Sequence, residues 1–166
     1  MAEVWVVNAS PLIALAAVGR LELLAAPARR LVVPSAVVAE IEAGPADDPA
    51  RTAVGGSWAG ERPSVVLAPR VVEWGLGAGE AAVLSHVSAL GEGAVAVIDD
   101  GAARACARAL GIQMIGTLGI VLRAHVQGRI ASASAVMREL RAAGLWIDVG
   151  VVREALARVT GERFDP

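Results

Sequence analysis

Short, uninterrupted apolar runs are the feature that most limits how this chain can fold. Residues 4–7 and 95–98 contain no polar side chain, so a strand built from either run would need cover on both faces. Segments with helical spacing of apolar residues separate the runs. This order of elements predicts an α/β fold, a three-layer, Rossmann-like parallel sheet flanked by helices.

The apolar runs and the helical segments together give a complete order of predicted elements. We predict strands at residues 4–7, 31–33, 65–67, 71–74, 95–98 and 113–115. We predict helices from residue 10 with a continuation to residue 26, and at 35–43, 79–90, 102–110, 117–126, 134–143 and 151–159. Neither a second domain nor an internal repeat is visible, and residues 1–166 are expected to form a single domain.

The composition excludes several kinds of chemistry. All 15 basic residues are arginine, and the lack of lysine excludes a P-loop and a Schiff-base enzyme. The chain also has no tyrosine, which excludes a catalytic tyrosine. One cysteine and two histidines are too few for a Cys- or His-rich metal site. The four tryptophans are dispersed, which argues against a base-stacking platform. Carboxylates and arginines must therefore carry the function.

Charge and hydropathy bear on the location of the protein. The formal net charge of -2 argues against coating nucleic acid through bulk basicity. The longest uncharged run, residues 4–19, contains Asn8 and Pro11 and falls short of the ~20 apolar residues that a membrane span needs. The chain opens Met-Ala-Glu, with no basic segment before the first apolar run. We therefore expect a cytoplasmic protein that does not contact a membrane.

Small polar and acidic side chains follow the predicted strands. In open parallel sheets, ligands bind beyond the carboxyl ends of the strands, so these side chains should converge at one edge. The set comprises Asn8, Ser10, Glu40, Glu80, Asp99, Asp100 and Thr117. Carboxylate and amide oxygens with few imidazoles suit Mg²⁺ or Mn²⁺. The pattern predicts a metal site at this edge of the sheet.

Each of these residues also has a purely structural interpretation. Asp99 or Asp100 could cap the helix that follows, and Glu80 could interact with a helix dipole in the first turn. Glu40 could lie on a solvated helix face, and Asn8 could satisfy backbone groups at a turn. All of these interpretations would have to hold together at the same edge, which makes the metal site the better hypothesis.

A dinucleotide-binding motif can be rejected. Residues 75–80 read Gly-Leu-Gly-Ala-Gly-Glu, which resembles the glycine fingerprint of nucleotide-binding folds. The third glycine is replaced by Glu80, whose carboxylate would repel a pyrophosphate from the helix N-terminus. A Rossmann-type enzyme acting on a small molecule is therefore disfavoured.

Five motifs in order resemble the PIN-domain family of metal-dependent ribonucleases. They are residues 6–13 (VVNASPLI), 33–40 (VPSAVVAE), 77–82 (GAGEAA), 97–104 (VIDDGAAR) and 116–119 (GTLG). The resemblance spans roughly residues 4–159 and is nearest to the PIN-like subgroup with a Gly-Thr-Leu-Gly segment and extra C-terminal helices. It implies a PIN-like core over about residues 1–130 and a helical extension over 131–160.

The resemblance also implies roles for individual residues. Glu40, Glu80 and one of Asp99 and Asp100 would ligate Mg²⁺ or Mn²⁺, and the spacing favours Asp100. Asn8 occupies the first ligand position. Ser10 and Thr117 would support the site from behind the ligands, Thr117 by orienting a ligand or a water molecule. Arg104 and Arg108 would contact the RNA backbone, or would instead form a solvent-facing pair.

Two departures from the family pattern lead to two functional hypotheses. The family usually has Asp where this chain has Asn8, and commonly has Asp where this chain has Glu80, so the site carries less negative charge. The leading hypothesis is a PIN-type ribonuclease, the toxin of a type II toxin–antitoxin pair, acting as a homodimer and held inactive by a small antitoxin. The alternative is a catalytically impaired module that binds RNA or protein. The apolar surplus of the composition also favours a homodimer.

Overall fold

Four parallel strands form the centre of the molecule. The computed structural model describes residues 3–26, 29–56, 58 and 60–166. Its sheet has the order β2-β1-β3-β4. The strands are β1 (Glu3–Val7), β2 (Arg29–Val32), β3 (Ala94–Val97) and β4 (Met114–Ile115). All three pairings are parallel. The predicted α/β fold with a helix-flanked parallel sheet is confirmed.

Helices connect the strands and complete the chain. Their bounds are α1 (Ala9–Ala17), α2 (Ser35–Ala43), α3 (Pro49–Gly55), α4 (Pro69–Val72), α5 (Ala78–Leu90), α6 (Gly101–Ala109), α7 (Thr117–Val126), α8 (Ala133–Ala142) and α9 (Val149–Val159). Side chains of Asp48, Asp100, Ser132 and Asp148 accept backbone N–H bonds at the starts of α3, α6, α8 and α9. These caps satisfy donors that a helix start leaves without an intrahelical partner.

The central strands are buried on both faces, as their apolar runs require. Trp5, Val6 and Val97 are almost fully inaccessible to solvent. The same hydrophobic core includes Met137 and Leu156 from the C-terminal helices α8 and α9. The C-terminal helices therefore pack into one core with the sheet. No helix within the described ranges is both long enough and apolar enough to cross a membrane.

Three of the predicted elements are wrong. Residues 65–67 form no regular structure, and Val66 is 93% exposed. The predicted strand at 71–74 overlaps α4, which has Pro69 at its start, a position that proline favours. The first helix ends at Ala17, because Gly19 adopts a left-handed φ of 67°, and within the predicted continuation to residue 26 only a short 3₁₀ helix at Leu21–Leu23 forms. At residues 71–74 and at the end of the first helix, local backbone chemistry prevailed over the apolar pattern.

The order of the strands creates a switch point between β1 and β3. The chain moves from β1 to β2 on one side and returns as β3 on the other. The backbone N–H of Asn8, just after β1, donates to the carbonyl of Val97 at 3.0 Å. The segments that leave β1 and β3 therefore begin side by side, where open α/β sheets bind ligands.

Candidate active site

A cavity of about 810 Å³ opens beyond the carboxyl ends of β1 and β3. Six of the nine predicted site residues line it, namely Asn8, Ser10, Glu40, Glu80, Asp99 and Asp100. Thr117 lies directly behind Asp99, as described below, whereas Arg104 and Arg108 are not part of the lining. Side chains from α2, α5 and the ends of two strands are thus gathered into one acidic cavity.

Glu40 is held in place by the start of α5. Its Oε1 accepts a hydrogen bond from the backbone N–H of Gly79 at 2.8 Å. A Cβ atom at position 79 would lie only 2.5 Å from Oε2 of Glu40, so glycine is what permits this approach. The contact links two helices across 39 positions of sequence.

Glu80 lies one residue further along α5 and faces other carboxylates. Its Oε2 accepts from the backbone N–H of Gly77 at 3.2 Å. Partial burial raises the pKa of Glu80, as do the negative charges of Asp100 and Glu40, and the Gly77 hydrogen bond only partly offsets this. Within the described ranges, no ion pair neutralises any of these three carboxylates. The cavity therefore holds uncompensated negative charge.

The raised pKa of Glu80 leads to a stability prediction. A carboxyl group whose pKa is higher in the folded than in the unfolded protein destabilises the fold once it ionises. The loss of stability develops as the pH rises from the unfolded-state pKa through the folded-state pKa. Glu80→Gln keeps an acceptor for the Gly77 N–H and should raise the melting temperature of the metal-free protein at neutral pH. The gain should vanish in acid, where Glu80 is protonated in both states. Thermal melts across pH, with the exposed Glu92→Gln as control, test this. A loss of stability at neutral pH would contradict it.

Asp99 and Asp100 have different hydrogen-bond partners. Both oxygens of Asp99 are engaged by Thr117, whose N–H and Oγ1–H donate at 2.7 and 2.6 Å. Asp100 caps α6 through Oδ1, which accepts from the Ala103 N–H at 2.9 Å, and Oδ2 makes no hydrogen bond within the described part of the chain. The capping interpretation thus holds for Asp100, which nevertheless keeps one oxygen available to a ligand. Asp99 joins the end of β3 to the start of α7.

Asn8 presents a buried oxygen with no protein partner. The residue is only 4% exposed, and its Oδ1 makes no hydrogen bond to any described residue. Leaving such a group unsatisfied costs about 1–3 kcal/mol. Among the described residues, no three His, Cys, Asp or Glu side chains lie close enough to hold an ion by themselves. A cation here would use the Asn8 amide oxygen together with carboxylates, a donor set that fits Mg²⁺ or Mn²⁺.

The two arginines predicted to contact RNA lie outside the cavity lining. Arg104 donates from Nη1 to the carbonyl of Ile98 at 3.2 Å and is partly buried. Arg108, one turn further along α6, is exposed. Their RNA contacts remain predictions.

The loop between α8 and α9 also lines the cavity, which the sequence did not indicate. Residues 143–148 contribute to the wall, and Trp146 within this loop is 89% exposed. The only signal in the sequence is the apolar triplet at 145–147 between two helices. Nothing in that triplet points to the distant strand ends.

Together, the fold and the cavity define an α/β protein with an acidic, cation-compatible site at the switch point of its sheet. The PIN domain model DUF3368 matches residues 4–161, which is nearly the whole chain. The chain therefore belongs to the PIN-domain family, and the resemblance found in the sequence is confirmed. No curated protein gives a significant match.

Proposed function

We propose that this protein is a metal-dependent ribonuclease of the PIN type. The observation that carries the proposal is the convergence of the four predicted acidic side chains and the unpartnered Asn8 oxygen on one cavity. PIN domains generally use divalent metal ions, which agrees with this donor set. The reaction would be hydrolysis of an RNA phosphodiester bond.

The protein supplies three carboxylates that its backbone has already oriented. One oxygen of Glu40, Glu80 and Asp100 accepts a backbone N–H, from Gly79, Gly77 and Ala103 respectively. The second oxygen of each has no hydrogen bond within the described ranges and is available to a cation. We propose these three residues as the charged ligands, with the Asn8 oxygen as a neutral one. The three carboxylates are not close enough to hold an ion as they stand, so their side chains would have to move together around it.

The other predicted site residues would act through these ligands. The hydroxyl and N–H of Thr117 hold Asp99, which leaves Asp99 a positioning role between β3 and α7. Ser10 is exposed at the cavity wall, where it can contact the RNA strand or bound water. Bound Mg²⁺ or Mn²⁺ would lower the pKa of a water molecule and offset charge on the phosphodiester.

A cleavage assay tests the proposed function. The metal-depleted protein is incubated with single-stranded RNA in EDTA, in Mg²⁺ or in Mn²⁺, and the products are separated by length. Cleavage in either metal, and none in EDTA, is expected. Cleavage that continues undiminished in EDTA would overturn the assignment.

Asn8 offers a prediction of gained function. Asn8→Asp adds a buried negative charge at the first ligand position, so the metal-free protein should melt at a lower temperature. In Mn²⁺ the same variant should show a larger metal-dependent rise in melting temperature and faster cleavage, because charge strengthens a carboxylate ligand. Thermal melts and cleavage rates, with and without Mn²⁺, measure both effects. A smaller metal-dependent rise than in the wild type would show that the amide does not limit the site.

One observation favours a second candidate function, a module that binds RNA or protein without cutting. The first ligand position is uncharged, and within the described ranges no cluster of three acidic or imidazole side chains is tight enough to hold an ion. RNA binding without metal-dependent products in the cleavage assay would select this alternative.

The remaining functional predictions build on the family. We propose a cytoplasmic homodimer that acts as the toxin of a type II toxin–antitoxin pair, with a small antitoxin as its partner. Exposed apolar side chains, including Val66 and Val126, support the existence of a partner surface. On the basis of the family we also propose that residues 1–166 form a single domain and that Arg104 and Arg108 contact RNA.

A further inference from the structure

The acidic cavity also has an apolar part that the chemistry of hydrolysis does not use. Ala14 and Ala17 of α1 and the loop residues Leu145, Trp146 and Ile147 contribute to its lining. Trp146 is 89% exposed, although a tryptophan can bury 150–250 Å² when it finds a partner. The fold therefore leaves a large aromatic ring uncovered on the wall that it shares with the carboxylates.

The charge of the lining limits how RNA can be held there. The lining includes five carboxylates, from Glu40, Glu80, Asp99, Asp100 and Asp148, and no arginine or lysine. The carboxylates repel phosphates, and the lining has no basic side chain to offset this repulsion. Any affinity of the cavity for RNA must therefore come from other contacts. Apart from a bound cation, the lining can offer hydrogen bonds from polar side chains such as Ser10 and apolar contact, and a tryptophan provides the second by stacking on a nucleobase.

The size of the cavity agrees with a ligand larger than an ion. Its 810 Å³ lies within the range of about 300–1,000 Å³ that is usual for pockets binding organic molecules. One water molecule takes up only about 30 Å³ in the liquid. The cavity has room for a base beside the phosphate that is to be cut.

We propose that Trp146 stacks on an unpaired nucleobase of the RNA strand whose phosphodiester lies at the carboxylates. This inference rests on the proposed ribonuclease function and adds to it one aromatic contact, made by a single tryptophan and not by a platform of several. In a duplex, each base has neighbours on both faces, so only a single-stranded segment can offer a free face to the indole. Trp146 would therefore contact an unpaired segment of the bound RNA, and stacking tolerates any base.

Binding and cleavage are measured separately to test this. The probe is a labelled oligoadenylate of about eight nucleotides with phosphorothioate linkages, which slow hydrolysis in Mg²⁺, and its anisotropy is followed in Mg²⁺. Trp146→Ala should weaken binding about 5- to 150-fold, whereas Trp146→Phe should retain most of the affinity. The matched control is Trp74→Ala, which removes a half-exposed tryptophan outside the cavity and should change nothing. In cleavage of ordinary RNA, Trp146→Ala should raise KM with little change in kcat.

The outcomes separate this proposal from the ribonuclease assignment. Trp146-dependent binding without any cleavage would retain the stacking role and reject hydrolysis. Cleavage with unchanged KM and unchanged affinity in Trp146→Ala would retain hydrolysis and reject stacking. If Trp146→Ala lost as much affinity for a probe with abasic positions as for the oligoadenylate, the stacking role would also be rejected, since an abasic position has no base to stack on. Unchanged RNA affinity with a smaller mass by light scattering would instead assign Trp146 to an interface between two copies of the chain.

Discussion

Asp100→Asn is expected to reduce metal-dependent RNA cleavage by at least about 100-fold, more than the loss usual for a residue that merely supports a metal ligand. Asparagine caps a helix about as well as aspartate, so the hydrogen bond to the Ala103 N–H can persist. The substitution therefore removes negative charge from the cavity while leaving the start of α6 intact. Cleavage rates and the Mn²⁺-dependent shift in melting temperature should both fall, and the circular dichroism spectrum should not change.

Asp48→Asn is the matched control for that substitution. Asp48 caps α3 through a bond to the Ala50 N–H at 2.8 Å, and it does not line the cavity. The Asp48→Asn variant therefore loses one negative charge at a helix N-cap, as Asp100→Asn does, but at a position away from the cavity. Equal activity loss in both variants would attribute the effect to capping, and wild-type cleavage by Asp100→Asn would remove Asp100 from the ligand set.

Gly79→Ala is expected to weaken metal binding and cleavage by at least about 10-fold, with little effect on the folded state. The new methyl group would overlap the Glu40 carboxylate, whose three end atoms would lie within 2.9 Å of it. The carboxylate lies at the end of a flexible side chain, so it can move away at small cost, and alanine itself favours the helix by about 1 kcal/mol. The displaced Glu40 loses its bond to the residue 79 N–H and its place in the ligand set.

The control for the glycine variant is Gly101→Ala. Gly101 also lines the cavity and begins a helix, but a Cβ there would meet no atom within 4 Å. Titration of each variant with Mn²⁺, read by the shift in melting temperature, compares them directly. A normal Mn²⁺ response in Gly79→Ala would show that Glu40 does not need its observed position.

The convergence of the site could be predicted because it follows from topology. Once the strands are read as parallel, residues after β1 and β3 must meet at one edge, and Asn8, Asp99 and Asp100 do so. Val71 is buried, yet residues 71–74 do not form the predicted strand, because Pro69 favours a helix start there. The strand at 65–67 was predicted wrongly because valine runs do not reveal exposure. Strand preference is mostly a preference for burial in a sheet, and no neighbouring strand covers these residues.

Other features depend on contacts between distant parts of the chain. The choice between Asp99 and Asp100 depends on which carboxylate meets Thr117, 18 positions after Asp99. The approach of Glu40 to Gly79 depends on how α2 packs against α5. The arrival of Trp146 at the cavity depends on how α8 and α9 pack on the rest of the core. None of these packing arrangements leaves a periodic trace in the sequence.

The loop between α8 and α9 reaches the cavity from a part of the chain remote from the strand ends that carry the acids. Residues 143–147 make no hydrogen bond or ion pair to the four predicted site acids, so a substitution in this segment should leave those carboxylates in place. The shape of the cavity wall could therefore be altered in this short segment without disturbing the acidic residues elsewhere in the cavity.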